Sequence, residues 1–164
     1  MFQCSPLLVI ITRQSWPHFL HWQWCLHVQI TTSDALKELV HLDESFASAL
    51  AESQSECGDE ELLLVALMGD FAHTIVDQVD SKTPAQMQRL FQYLEALMQE
   101  GEEDMQTAIA TGFLESLLSA SSSGRLDFAR IVSFLGPLSR QYCKDWDEFT
   151  GCFTPSLWAA GEQD

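Results

Sequence analysis

Apolar residues recur at helical spacing along most of this chain, and no stretch of residues 31–151 alternates as a half-buried strand would. A first helix is predicted from a cap at Thr32 or Ser33, with Asp34 favourably placed in its first turn and Leu36, Leu39, Val40, Phe46 and Leu50 on one face. The run Ser53–Asp59 breaks that pattern and reads as a loop. A second helix is expected from about Asp59, opened by Glu60 and Glu61, with a stripe of Leu64, Leu67, Met68, Phe71, Ile75 and Val79. Thr83-Pro84 is a strong start signal for a third, since Thr caps and Pro tolerates the first helical position. Its stripe is Met87, Leu90, Phe91, Leu94, Leu97 and Met98, and Gly101 is its expected left-handed terminator.

A fourth helix is expected to open at once on Glu102, Glu103 and Asp104, burying Met105, Ile109, Phe113, Leu114, Leu117 and Leu118. Ala108, Ala110 and Gly112 would let a neighbouring helix come close, and the short link makes helices three and four an antiparallel αα-hairpin. Ser119–Gly124 reads as a flexible loop. A fifth helix is expected over about Arg125–Leu135. A sixth, over Pro137–Phe149, should bury Leu138, Tyr142, Trp146 and Phe149. The sum is an all-α fold, a single compact bundle of about five to six helices spanning 31–151, followed by a tail, 152–164, with no clear pattern.

Residues 1–30 differ from the rest. They hold Trp16, Trp22 and Trp24, and their apolar run Pro6–Ile11 is too short for a membrane span, which takes about 20 residues. Neither a secretory signal nor a transit peptide fits, because Arg13 is their only Lys or Arg. His18, His21, Cys25 and His27 are soft-metal ligand types, but their spacing matches no standard site. The reading favoured is a poorly structured extension, or upstream sequence translated ahead of a natural start near Val28.

Charge sharpens this division. Residues 1–33 carry no acid, whereas 34–104 carry 17 acids against Lys37, Lys82 and Arg89, within a net charge of −16 for the chain. So acidic a protein is a poor match to nucleic acid or to an anionic membrane. With 46% hydrophobic and 20% charged residues the composition is globular. The odd count of five cysteines, with no CxxC, points to free thiols in a reducing, cytoplasmic setting.

The phrases Gly69-Asp70-Phe71-Ala72, Leu94-Glu95-Ala96-Leu97, Gly101-Glu102-Glu103 and Ile109-Ala110-Thr111-Gly112-Phe113-Leu114-Glu115-Ser116-Leu117 resemble a family of small bacterial all-helical proteins known as a domain of unknown function. The resemblance covers roughly 34–150 and implies no activity. The hairpin phrasing is also similar to HEAT-type repeats, which are usually interaction scaffolds.

Candidate chemistry is sparse. Asp70, His73 and Asp77 share a helix face and are metal-ligand types, but that face lies opposite the apolar stripe and reads as solvated. Ser119 and Ser121–Ser123 lack a Gly-x-Ser-x-Gly setting, Cys57 and Cys143 lack an adjacent base, and no phosphate-binding glycine loop is present. No catalytic, metal or cofactor residue is therefore assigned. What remains is two acidic clusters, Asp59, Glu60 and Glu61, and Glu100, Glu102, Glu103 and Asp104. Both open helices, which dipole chemistry alone would favour. They also suit an acidic face for a basic protein, as in small acidic inhibitors of basic nucleases. The expected function is a non-enzymatic binding module, immunity-type or regulatory, for such a partner. The alternatives are a scaffold subunit of a bacterial assembly and a metal-dependent enzyme using Asp70, His73 and Asp77.

Overall fold

The computed structural model describes residues 29–57 and 63–159. The expectations for residues 1–28 and for the run 58–62 lie outside the described residues. Among the described residues the fold is all-α. It consists of α1 (Thr32–Leu42), α2 (Phe46–Cys57), α3 (Leu64–Gln78), α4 (Pro84–Glu100), α5 (Glu103–Thr107), a π-helical segment (Ala108–Leu114), α6 (Glu115–Ser122), two 3₁₀ turns (Phe128–Arg130 and Val132–Phe134), α7 (Pro137–Thr150) and α8 (Pro155–Ala159).

The first predicted helix is in fact two. Thr31, not Thr32 or Ser33, caps α1 by accepting from the Asp34 N–H at 3.2 Å. The chain then breaks after Leu42, because the Asp43 carboxylate accepts from the Ser45 N–H at 3.1 Å and from its hydroxyl at 2.6 Å. That local turn competes with helical hydrogen bonding. It also lets Phe46 stack on Phe71 with ring centroids 4.2 Å apart. α2 continues through Ser53 to Cys57, where a loop was expected, since no Gly or Pro interrupts it before Gly58.

α3 starts at Leu64, five residues later than expected, and buries Leu67, Met68, Phe71 and Ile75 of the predicted stripe. α4 is as read. Thr83 and Gln86 form a reciprocal capping box, and Met87, Leu90, Phe91, Leu94 and Leu97 are buried. Gly101 ends α4 in an extended conformation (φ −71°), not the left-handed one expected. Glycine is needed there for space, because a Cβ would lie 2.5 Å from the Leu97 carbonyl oxygen. The incoming chain docks at the same point. The Ile30 N–H donates to the Glu100 carbonyl at 2.8 Å, and the Ile30 carbonyl accepts from the Glu102 N–H at 3.2 Å.

The predicted fourth helix is continuous from Glu103 to Ser122 but contains the π-helical turn. At Gly112 it presses on α3 so closely that a Cβ would sit 2.3 Å from the Val65 carbonyl oxygen. Phe91 and Phe113 meet edge to face at 6.0 Å, which closes the predicted hairpin core. The serine-rich loop is shorter than expected. Ser122 donates to the Leu118 carbonyl and Ser123 to that of Ala120, so the hydroxyls support the helix end. Gly124 (φ 74°) then terminates α6. Its N–H reaches the Ser121 carbonyl and the Arg125 N–H reaches that of Ala120, which is the Schellman pattern.

No helix spans Arg125–Leu135. Leu126, Phe128, Ile131, Val132 and Leu135 are all buried, a spacing that one helical stripe cannot serve. The chain instead turns twice, with the Asp127 carboxylate capping Ala129 and Arg140 donating to the Val132 carbonyl.

α7 forms as predicted but is rotated. Ser139, Cys143 and Asp147 are the buried positions, Tyr142 and Trp146 are half-buried, and Leu138 and Phe149 are exposed, Phe149 by 83%. The cause is polar. Glu95 of α4 accepts from the Ser139 hydroxyl at 2.6 Å and from its N–H at 3.1 Å, seating the α7 N-terminus. At the other end the buried Asp147 accepts from the Thr154 N–H at 2.8 Å, the Thr154 hydroxyl at 3.1 Å and the Trp158 indole at 3.1 Å. These bonds fold back the tail, so that Leu157 of α8 is fully buried although no pattern was legible there.

Candidate functional site

Of the predicted acids, Asp59, Glu60 and Glu61 lie outside the described residues. Glu100, Glu102, Glu103 and Asp104 gather where α4 turns into α5, but they do different things. Glu102 accepts from the Thr32 N–H at 2.8 Å and so satisfies the open N-terminus of α1. Those bonds from Thr32 hold the Glu102 carboxyl below its ordinary range, against the small opposing effect of burial. Glu100 is half-buried, and its carbonyl receives Ile30. Only Glu103 and Asp104 stand fully exposed, in the first turn of α5.

Beside them lies a cleft of about 500 Å³. Thr32, Glu102, Asp104 and Thr107 form one part of its lining and Leu63, Leu64 and Val65 another. Leu63 is 69% exposed and Val65 46%, which is unusual for large aliphatic side chains at the start of a helix whose other face is core. The cleft thus combines an apolar wall with an acidic edge. The acids were legible in the sequence. The wall was not, because Leu64 belongs to the stripe that the 3.6-residue period assigns to the core.

A second concavity lies between α6 and α7, lined by Thr111, Glu115, Ser116, Ser119, Ser122, Trp146, Thr150 and Cys152. Glu115 accepts from the Tyr142 hydroxyl at 2.6 Å. Burial and that hydrogen bond raise the Tyr142 phenol well above its ordinary range. The sequence did carry a signal for this groove, since Thr107, Thr111, Glu115 and Ser119 recur every four residues. The serine run after Leu118 masks it, because its composition is that of a loop.

Asp70, His73 and Asp77 all lie on the exposed face of α3, as their position opposite the stripe implies. Among the described residues no cluster of three or more His, Cys, Asp and Glu is placed to hold a metal ion. Burial and the nearby Asp147 push the Cys143 thiol up to about 12, which keeps it protonated and unreactive near neutral pH. No helix among the described residues is long and apolar enough to cross a membrane.

Comparison with known proteins adds one match. No curated protein and no solved structure matches the chain. Residues 36–151, well over half of its length, match the family model described as "Domain of unknown function (DUF7674)", and the chain belongs to that family.

Proposed function

We propose that this protein is an acidic, non-enzymatic binding module that docks a basic protein partner at the cleft beside α5, in an immunity-type or regulatory role. The observation that carries this reading is the meeting of exposed Leu63 and Val65 with Asp104 in one concave surface. Apolar area gives such a site affinity, and the surrounding negative charge gives it partner choice and a fast encounter. The charge of −16 disfavours nucleic acid and anionic lipid as alternatives. A cytoplasmic setting is part of the same proposal and is supported by the free thiols of Cys143 and Cys152.

The experiment is affinity capture by the wild-type chain and by a Glu103→Lys/Asp104→Lys variant, at low and at high salt. The expected result is a basic protein retained by the wild type at low salt, released at high salt, and not retained by the variant. Equal retention by the two chains would overturn the acidic-edge reading and leave a scaffold role to be tested in its place.

A further inference from the structure

The groove between α6 and α7, about 470 Å³ in volume, presents an unusual balance of hydrogen-bonding groups. The hydroxyls of Thr111, Ser122 and Thr150 each donate their proton to a main-chain carbonyl, of Thr107, Leu118 and Trp146 respectively. What these oxygens keep is accepting capacity. Glu115, when ionised, can only accept, and one of its oxygens holds the Tyr142 hydroxyl. Its other oxygen receives no hydrogen bond among the described residues. Trp146 adds a half-buried aromatic ring, with Phe149 tilted against it at a centroid distance of 6.0 Å. Among the described residues no Lys, Arg or His lines the groove.

A ligand for such a site must bring donors, carry positive charge and offer a flat face to an indole. An anion would meet Glu115 with no cation to offset it. An ammonium group meets the charge requirement but has no flat face. A guanidinium meets all three, because its planar fork of N–H groups suits a carboxylate edge and it stacks on aromatic rings. We propose that this groove is a receptor site for an arginine guanidinium, with Glu115 taking the fork and Trp146 the face. The inference deepens the reading of the chain as a binder of basic proteins by naming the side chain recognised, and it rests on that reading only for the arginine's being carried by a protein.

The test is titration of the full chain with N-acetyl-arginine amide at about 0.15 M salt, where long-range attraction to the acidic surface is screened beyond about 8 Å. Amide and indole NMR shifts should saturate and be confined to the neighbourhood of Thr111, Glu115, Ser119 and Trp146. The neutral citrulline analogue should produce none of them, and the lysine analogue should bind at least about tenfold more weakly. Glu115→Gln keeps a carbonyl to accept from Tyr142, so the fold survives. It should weaken arginine binding by about tenfold or more, equivalent to about 1.4 kcal/mol. Asp70→Asn, which removes the same charge from the exposed face of α3, should leave binding unchanged. Citrulline or lysine binding as well as arginine, or equal weakening by Asp70→Asn, would overturn the proposal. The Glu103→Lys/Asp104→Lys variant should titrate like the wild type, so that failure of the acidic-cleft reading and failure here give different results.

Discussion

Gly112 and Gly124 serve opposite needs, and alanine at each separates them. At Gly112 the backbone conformation is ordinary helix and the constraint is space, since a Cβ would lie 2.3 Å from the Val65 carbonyl and 2.9 Å from the Met68 Cβ. Both obstacles are close to rigid main chain, so Gly112→Ala must push α3 away from the π-helical segment. The expected cost is about 1–3 kcal/mol or more, typical of overpacking. At Gly124 nothing lies within 4 Å of the point a methyl group would occupy, and the constraint is the positive φ of 74°. Gly124→Ala should cost about 1–2 kcal/mol through left-handed strain, and Gly124→Asn should recover part of it. Chemical denaturation distinguishes the two cases, because no second residue at 112, Ser included, should recover the loss there. From sequence alone, Gly101 was the expected left-handed residue and Gly112 a packing residue. The second expectation holds because it follows from size within a stripe. The first fails because helix termination at Gly101 is decided by Ile30, more than sixty positions earlier in the chain.

Whole elements were legible where their determinants are local. α4 carries its start in Thr83-Pro84 and its buried face in one regular stripe, and it folds as read. Elements fixed by distant partners were not legible. The π-helical turn depends on the backbone contact at Gly112, the rotation of α7 depends on Glu95 and Asp147, and the role of Glu102 depends on Thr32, 70 residues away. The candidate site divides in the same way, with its exposed acids visible in the sequence and its apolar wall and its groove visible only in the fold. Two predictions belong at this scale. Asp147→Asn removes the charge on which three donors converge, and should cost on the order of 1–3 kcal/mol. Hydrogen exchange should then rise at residues 154–159 more than in α4, because α8 is held to α7 largely through that carboxylate. The second concerns the ion pair of Asp43 with Lys82, which ties the α1–α2 turn to the link before α4. Burial alone would raise the Asp43 carboxyl, but hydrogen bonds from Lys82 and Ser45 outweigh it and hold the group below its ordinary 3.8. A carboxyl lowered by folding contributes stability that is present above its unfolded value and lost as pH falls through its folded value. Asp43→Asn should therefore cost on the order of 1–2 kcal/mol at neutral pH and less as the pH drops below about 4, so the two stability curves converge in acid. Parallel curves down to about pH 2 would contradict that assignment.

At the scale of the whole molecule, 24 acids against eight Lys and Arg make self-repulsion the dominant long-range electrostatic interaction. The ion pairs among the described residues do little to offset it, since Lys37–Asp34 is fully exposed and Arg130–Asp80 largely so. Salt screens repulsion between exposed acids, with a Debye length of about 10 Å at 0.1 M. Raising the NaCl concentration should therefore raise the melting temperature. The same screening should slow capture of a basic partner, because steering acts through the long-range field that counterions collapse. The two effects share one cause and have opposite signs, which makes them a joint test. Calorimetry and association rates measured across one salt series should move in opposite directions. A chain in which Asp70 and Asp77 become Asn and one in which Glu103 and Asp104 become Gln and Asn lose the same charge, and they should gain similar stability at low salt. Only the second should associate much more slowly, because its acids lie at the cleft. Equal slowing in the two variants would mean that the partner responds to net charge alone, and the cleft beside α5 would lose its claim to be the docking surface.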